Sequence, residues 1–254
     1  LGPHAFEDIG GEKVQSTAFV LRNKLVSGYK GLYFGLVDEN SAESKEKAFL
    51  CKDKYYTFCQ QNFGDIAGSP IAYWASERLV SIFKENPQLE SLAEVEVGLF
   101  TCNNDYFLKL WFEVNRSDFI DQVGSKLEAE KSDKKWFPYN KGGSFRKWYG
   151  NQEYVVNFKD SGKEISEYRQ KRGQSRALPG KEHYFQEGIT WSFVSSSKFG
   201  IRYTPEGFIF DVAGSSLFPS KNKVLYFTAF LTSKLAFPLL KCLNPTLNFQ
   251  AGNI

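Results

Sequence analysis

The sequence is poor in the residues that build metal and disulfide sites. Its 254 residues include no methionine, two histidines and four cysteines. The cysteines form no Cys-x-x-Cys pair and the histidines lie far apart, so the spacing predicts no zinc site and reduced thiols, as in the cytoplasm. A chain of this size without methionine is unusual for an open reading frame, and we expect a piece of a longer protein. The residues concerned are Cys51, Cys59, Cys102, Cys242, His4 and His183.

Several common functional signals are missing as well. No apolar run approaches the ~18 residues that a membrane span needs, and the N-terminus lacks a signal-peptide pattern. The sequence has no Gly-x-Ser-x-Gly nucleophile motif, no His-Glu-x-x-His zinc helix and no Walker lysine loop. We therefore expect a soluble, cytoplasmic chain without a membrane partner, and we predict no catalytic residue within it.

The overall composition is that of a globular chain, with 42% hydrophobic and 24% charged residues. The formal net charge of +3 is small. Any affinity for nucleic acid must therefore come from local clusters of cations rather than from the charge of the whole chain.

One such cluster lies between Lys134 and Gln152, a stretch without any acidic residue. Its cations can neutralise phosphates and release counterions, and its aromatic rings and amides can stack on bases or bond to their edges. The pair Gly142-Gly143 predicts a turn. The cations are Lys134, Lys135, Lys141, Arg146 and Lys147, the aromatic residues are Trp136, Phe137, Tyr139, Phe145, Trp148 and Tyr149, and the amides are Asn140, Asn151 and Gln152.

The same composition also fits a buried aromatic turn with a solvated lysine face, and the residues alone leave both alternatives open. We expect Lys141 and Arg146 to lie on the turn and Arg146 to contact the ligand. The rings of Trp136 and Trp148 are expected to be buried and to stabilise the fold.

Two further groups of polar residues are candidates for phosphate contact. Residues 164–181 are highly polar and are predicted to be a mobile loop, which either contacts phosphates or is simply solvated. Residues 195–198 and Arg202 offer donors near a predicted turn, where phosphate contact and strand-end capping both stay open. The cations of the 164–181 segment are Arg169, Lys171, Arg172, Arg176 and Lys181.

Hydrophobic periodicity predicts a mixture of helices and strands, that is, an α+β fold. A hairpin of strands 14–22 and 29–37 is expected first, followed by an amphipathic helix over 41–63 and a short helix ending near residue 83. The remaining expectations are a strand, a turn and a second element over 95–107, a polar helix over 117–132, a strand over 154–158, strands over 189–195, 199–203 and 207–212, and one core helix over 225–243.

Residues 135–151, Lys-Trp-Phe-Pro-Tyr-Asn-Lys-Gly-Gly-Ser-Phe-Arg-Lys-Trp-Tyr-Gly-Asn, resemble a signature of the PglX-like adenine-specific DNA methyltransferases of bacteriophage exclusion (BREX) systems. Residues 188–218 resemble another part of the same family. Related enzymes also carry Gly-x-x-Thr-Gly-x-Asn-x-x-Phe, which Gly98, Thr101, Asn104 and Phe107 match, but Cys102 stands where glycine is usual. A positive φ at that position would strain a cysteine.

The resemblance implies a division of the chain and of its function. Residues 1–63 would be the last strands of the α/β catalytic domain, including a terminal hairpin, with a linker helix, and residues 64–254 a β-rich target recognition domain with flanking helices. The parent would be an S-adenosylmethionine-dependent, site-specific enzyme of restriction-modification or phage-defence type. The Asn-Pro-Pro-Tyr motif of such enzymes does not occur here, so this chain alone is expected to be inactive and to bind no cofactor.

The partner that the resemblance implies is double-stranded DNA, with other phage-defence proteins as further candidates. A non-catalytic β-rich module that binds carbohydrate or protein is the alternative, because exposed aromatic rings also stack on sugars. The predicted DNA-binding residues are Tyr139, Asn140, Lys141, Arg146, Lys147, Asn151, Arg169, Arg172, Arg176, Lys198 and Arg202.

Overall fold

The computed structural model describes residues 1–6, 15–24, 26–193, 199–244, 249 and 251–253. The chain divides into two compact units, Leu1–Asn86 and Pro87–Ile254. The predicted division between residues 63 and 64 assigns the parts to domains of a longer enzyme, and that assignment stays a prediction.

The first unit is built on a two-stranded antiparallel sheet. Strand β1 (Lys30–Phe34) pairs with β2 (Tyr55–Cys59), and helix α1 (Ala42–Leu50) connects them. Ser41 caps α1, where its hydroxyl accepts a hydrogen bond from the backbone N–H of Ser44. A 3-10 helix (Gln60–Asp65) and helix α2 (Glu77–Glu85) follow.

Two expectations for this unit are wrong in part. The predicted helix over 41–63 ends at Leu50, because Lys52 has a φ of +54° and the aromatic residues after it pair with β1. Strand β1 falls within the predicted strand over 29–37, but its partner is β2. No strand is found among the described residues 15–22, which form only an isolated bridge between Ser16 and Gly2.

The second unit contains two four-stranded sheets among its described residues. Its strands are β3 (Ala93–Glu96), β4 (Leu108–Leu110), β5 (Trp136–Asn140), β6 (Tyr154–Asn157), β7 (Gly188–Trp191), β8 (Ile201–Thr204), β9 (Ile209–Phe210) and β10 (Ser216–Pro219). Its helices are α3 (Asn104–Phe107), α4 (Lys126–Lys131), α5 (Lys159–Lys171), α6 (Val224–Thr232) and α7 (Ala236–Leu243). Short 3-10 helices cover Leu89–Ser91, Trp111–Glu113, Arg116–Asp118, Lys181–His183, Val212–Gly214, Lys221–Lys223 and Ala251–Asn253.

Each sheet of this unit has its own apolar core. The first sheet has the order β4-β6-β5-β9, and its strands pair antiparallel except for the parallel pair of β5 and β9. Its core includes Phe107, Phe137, Ile165, Phe185 and Ile209. The second sheet has the order β3-β10-β7-β8, is antiparallel throughout, and packs around Trp191, Ile201, Leu217, Phe227 and Leu231.

The predicted mobile loop over 164–181 is wrong for its first half, which belongs to helix α5. Ile165 is buried, and Tyr168 and Arg169, three and four residues later, pack on the same side of the helix. A single buried isoleucine in a polar sequence gives a weak periodic signal. The helix is therefore stabilised by tertiary packing rather than by an apolar stripe.

Other predicted elements are confirmed with shifted bounds. Strands β6, β7, β8 and β9 fall within or next to the predicted strands, whereas β5 and β10 were not predicted. The predicted polar helix over 117–132 is helical only over Lys126–Lys131 and, as a 3-10 turn, Arg116–Asp118. The predicted core helix over 225–243 consists of two helices, α6 and α7, and the chain bends by 78° between them.

Across the described residues, no single helix is long and apolar enough to cross a membrane, and α6 and α7 reach the required length and apolar composition only when taken together.

The strand, turn and second element expected over 95–107 agree with the structure, in which β3 is followed by a turn and then by α3. Cys102 has a φ of +62°, which confirms that this turn places a cysteine in a region that favours glycine.

Candidate nucleic-acid interface

The stretch with the strongest sequence signature divides into a buried strand and an exposed loop. Strand β5 pairs with β6 on one side and β9 on the other, so Phe137, Tyr139 and Asn140 are at most 1% exposed. In residues 141–149, which we name the aromatic-basic loop, Trp148 and Tyr149 are 53% and 63% exposed. The burial expected from one alternative is therefore found in the strand, and exposed rings and cations are found in the loop, whose contact with a polyanion stays a prediction.

Tyr139 belongs to a buried polar group at the centre of the first sheet. Its hydroxyl lies 2.6 Å from Oδ2 of Asp211 and 3.0 Å from the carbonyl oxygen of Leu99. Oδ1 of Asp211 accepts a hydrogen bond of 2.6 Å from the backbone N–H of Ala213. Burial raises the pKa of Asp211, although its two donors oppose that shift, and burial also raises the pKa of Tyr139.

Asn140, the next residue of β5, also makes an internal contact. Its Nδ2 donates a hydrogen bond of 2.7 Å to Oγ1 of Thr204 in β8. Strand β8 belongs to the second sheet, so this bond joins the two sheets of the unit. Tyr139 and Asn140 thus hold the base of the aromatic-basic loop in place, and neither side chain is accessible from solvent.

The backbone of the aromatic-basic loop is fixed at both ends. A Cβ on Gly142 would lie 2.2 Å from the carbonyl oxygen of Ala213, so only glycine fits there. Nδ2 of the buried Asn151 donates a hydrogen bond of 2.9 Å to the carbonyl oxygen of Ser144. Near the other end, the backbone N–H of Trp148 donates a hydrogen bond to the carbonyl oxygen of Ile201. The carbonyl oxygen of Trp148 accepts a hydrogen bond from the backbone N–H of Tyr203. The loop therefore presents its side chains from a held backbone.

Two of the three cations of the loop lie beside aromatic rings. Arg146 and Lys147 are exposed, and Nζ of Lys147 lies 5.1 Å from the ring centroid of Trp148. Lys141 is partly buried, with its Nζ 4.8 Å from the ring centroid of Tyr154. In the described part of the chain, the salt bridges include none of these three cations. Their charges are not neutralised by a carboxylate there.

The backbone of Arg202 forms an isolated parallel β-bridge with Trp148, so Arg202 lies next to the loop. The residue is 0% exposed, and its Nη1 donates a hydrogen bond of 3.1 Å to Oγ of Ser192. Nε and Nη2 have no hydrogen-bond partner among the described residues. Burial lowers the pKa of the guanidinium to about 10, and the charge of Glu153 opposes that shift.

The arginines at the end of α5 have two different environments. Arg169 is 5% exposed and donates hydrogen bonds to the carbonyl oxygens of Phe100, Ser175 and Ala177, which fixes the turn after the helix. Arg172 and Arg176 are exposed. Nη2 of Arg172 donates a hydrogen bond of 2.9 Å to the hydroxyl of Tyr168, and the guanidinium lies 5.3 Å from the centroid of that ring.

The predicted site residues thus fall into three groups. The exposed group contains Arg146, Lys147, Arg172 and Arg176, together with the partly exposed Lys141. The buried group contains Tyr139, Asn140, Asn151, Arg169 and Arg202. The third group is Lys198, which lies outside the described residues. Their assignment to DNA binding stays a prediction.

Three exposed rings of this surface were named in the sequence as rings that can stack on bases but were left out of the predicted DNA-binding residues. Phe145, Trp148 and Tyr149 were not chosen as site residues, and the expected burial of Trp148 is wrong. Trp136 is partly buried. The available signal was that these three rings lie between two glycine-containing turns, Gly142-Gly143 and Gly150-Asn151, which expose a loop rather than extend a strand.

No protein-family model matches this chain. Among curated proteins it is 41% identical, over an alignment of 264 positions, to the adenine-specific methyltransferase PglX of Lacticaseibacillus casei (strain Zhang). It is 38% identical to the adenine-specific methyltransferase BrxX of Escherichia coli O9:H4 (strain HS). Both alignments cover 100% of this chain but only 22% and 20% of the two relatives. The resemblance to PglX-like adenine-specific methyltransferases is therefore confirmed, as a likeness of the whole chain to one part of those longer proteins.

Proposed function

We propose that this chain is the DNA-recognition part of a site-specific, adenine-specific DNA methyltransferase of phage-defence type. The proposal is supported by the two relatives, whose names give them as adenine-specific methyltransferases. The observation that carries it is the aromatic-basic loop, which exposes cations and rings without an acid. Cations bind phosphates, and rings can stack on bases.

The buried residues of the predicted site have a supporting role in this proposal. Tyr139, Asn140 and Asn151 hold the backbone of the loop, and Arg169 holds the turn that carries Arg172 and Arg176. DNA contacts then come from the exposed cations, which position the duplex without specifying its sequence. The rings of Phe145, Trp148 and Tyr149 contact bases or sugars at the same surface.

The chemistry of methyl transfer belongs elsewhere in the longer protein. Enzymes that methylate an adenine amine extrude the base from the duplex and bring it to S-adenosylmethionine. The chain contains neither an Asn-Pro-Pro-Tyr motif nor a glycine-rich cofactor loop. We therefore expect no binding of S-adenosylmethionine by this chain, and calorimetric titration tests that. Saturable binding in the micromolar range would contradict it.

Salt dependence of duplex binding tests the interface. Each phosphate contact contributes about 0.9 to the slope of log affinity against log salt. Fluorescence anisotropy with a labelled duplex should show a slope smaller by up to about 1.8 in Arg146→Gln/Lys147→Gln than in the unchanged chain. The matched control is Lys30→Gln/Lys47→Gln, which removes two exposed cations from the first unit. Equal slopes in both double variants would remove the loop from the interface.

A second pair tests the turn after α5. Arg172→Gln/Arg176→Gln should reduce the slope as well, because both arginines are exposed. Arg169 is left unchanged, since its replacement would release three carbonyl oxygens and disturb the turn itself. An unchanged slope would restrict the interface to the aromatic-basic loop.

A carbohydrate-binding module is the second candidate, and the exposed rings of Trp148 and Tyr149 favour it. Binding of a neutral sugar depends little on ionic strength, whereas binding of a duplex weakens steeply. Affinity for a glycan that stays constant with salt, together with no affinity for duplex DNA, would favour this candidate.

A further inference from the structure

Two carboxylates and one imidazole converge at the edge of the second sheet. Glu94 and Glu96 are two residues apart in β3, so their side chains lie on the same face of this edge strand. Nε2 of His183 lies 3.0 Å from Oε2 of Glu94. The potential ligand atoms of the three residues all lie within 4.8 Å of one another.

The fold brings His183 to this edge by a close backbone approach. His183 ends a 3-10 helix (Lys181–His183) that begins after Gly180, whose φ is +69°. A Cβ on Gly180 would lie 2.8 Å from the carbonyl oxygen of Val97, the residue after β3. The imidazole stacks on Phe218 with centroids 4.5 Å apart, and Phe218 is the register partner of Glu94.

A second residue fixes which nitrogen of His183 faces the carboxylates. Nε2 of Gln186 donates a hydrogen bond of 3.0 Å to the carbonyl oxygen of Glu182, which orients the amide. Oε1 of Gln186 then lies 3.2 Å from Nδ1 of His183 and can only accept a hydrogen bond, so the matching tautomer carries its hydrogen on Nδ1. In a neutral imidazole this leaves the lone pair on Nε2, directed at Glu94. Metal-binding histidines are oriented by such a bond from the other ring nitrogen.

We propose that Glu94, Glu96 and His183 bind a divalent transition-metal ion of the zinc class. One imidazole nitrogen with two carboxylate oxygens suits Zn²⁺, and a nitrogen ligand disfavours Mg²⁺ and Ca²⁺. The side chain of His183 is only 12% exposed, whereas that of Glu94 is 72% exposed, so the ion binds at the surface with solvent completing its coordination. It links β3 to the segment before β7 and stabilises the unit.

The competing explanation is a simple ion pair between a protonated His183 and Glu94. The metal site and the ion pair differ in the role of Glu96, because the described salt bridge of His183 involves Glu94 but not Glu96. In the ion-pair case, Glu96→Gln changes nothing that depends on metal. In the metal case it removes one ligand.

The test uses the chain after treatment with a chelator and removal of any affinity tag. Isothermal titration with ZnCl2 should show one site with a dissociation constant in the micromolar range or below. Zn²⁺ should raise the melting temperature and Mg²⁺ should not. His183→Gln and Glu96→Gln should each weaken zinc binding at least 10-fold, and Gln186→Ala should weaken it by about 10- to 100-fold through loss of orientation.

Two matched controls keep the result specific. His4→Gln removes the other histidine of the chain, and Glu182→Gln removes an exposed carboxylate next to His183 that pairs with Lys126. Both should bind zinc like the unchanged chain. Zinc affinity that is the same in Glu96→Gln and the unchanged chain, or no binding by the unchanged chain at micromolar concentrations, would overturn the proposal and leave Glu94 and His183 as an ion pair.

Discussion

The two halves of the signature stretch have similar compositions and opposite environments. Residues 136–140 and 145–149 are both rich in aromatic side chains, yet Phe137 and Tyr139 are at most 1% exposed and Trp148 and Tyr149 are more than half exposed. The difference lies in the backbone. Strand β5 has a hydrogen-bonded strand on either side, whereas the loop is bonded through its ends and through Trp148. A position between two strands and within the apolar core, rather than residue type, separates the buried rings of Phe137 and Tyr139 from the exposed ones.

A matched pair of phenylalanines gives the largest expected difference between the halves. Phe137 is 1% exposed and contacts Phe158 and Phe185, whereas Phe145 is 44% exposed. Phe137→Ala should lower the free energy of unfolding by about 3–5 kcal/mol, because it leaves a cavity in the core. Phe145→Ala should lower it by about 1 kcal/mol or less. Urea denaturation measures both, and equal losses would mean that the loop is packed against other residues.

The buried hydroxyl of Tyr139 gives the next effect. Tyr139→Phe removes the donor to Asp211 and leaves a buried carboxylate with one partner fewer. A loss of about 1–3 kcal/mol in the free energy of unfolding is expected. Tyr149→Phe is the control, since its ring is 63% exposed and the change should be negligible. A Tyr139→Phe variant as stable as the unchanged chain would show that the hydrogen bond between Tyr139 and Asp211 does not contribute to the stability of the folded state.

The pH dependence of the free energy of unfolding tests the raised pKa of Asp211. Its folded-state pKa is raised, chiefly by burial, so the folded state holds this proton over a pH range in which the unfolded chain has lost it. Stability from this group is therefore fully present below the unfolded pKa and is lost as the pH rises through the folded pKa. Compared with Asp211→Asn, which cannot titrate, the unchanged chain should lose stability with rising pH.

Denaturation of both chains from pH ~4 to ~8 measures this difference. A constant difference in the free energy of unfolding across that range would mean that Asp211 has the same pKa in both states. A difference that grows in favour of the unchanged chain at high pH would mean that its pKa is lowered, so that its two hydrogen bonds outweigh its burial.

Local sequence signals predicted part of this fold. Helix α1 begins directly after Ser41, where the predicted helix over 41–63 begins, β6 follows from its β-branched run, and Cys102 has the positive φ that the glycine of related enzymes suggested. Strand β5 was not predicted, because it contains Pro138 and cations flank it. Its burial depends on pairing with β9, some 70 positions later in the chain, and such a contact leaves no local pattern.

The candidate site shows the same limit. Arginine is rarely buried, so no sequence pattern separates Arg169 and Arg202 from the exposed arginines around them. Their positions result from carbonyl oxygens and a serine hydroxyl supplied by other segments. Glu94, Glu96 and His183 form no motif in sequence, because the backbone approach at Gly180 brings them together.

A small change in stability is expected at Trp148, although we expected from the sequence a buried ring and a large change. Its ring is 53% exposed, so Trp148→Ala should lower the free energy of unfolding by about 1 kcal/mol or less. If the ring stacks on a base, duplex affinity should fall by about 1–3 kcal/mol. Trp111→Ala is a close control, because Trp111 is 55% exposed in the same unit and lies outside the loop. Melting curves and anisotropy titrations on both variants distinguish the outcomes: equal duplex affinities would show that the exposed half binds through its cations alone.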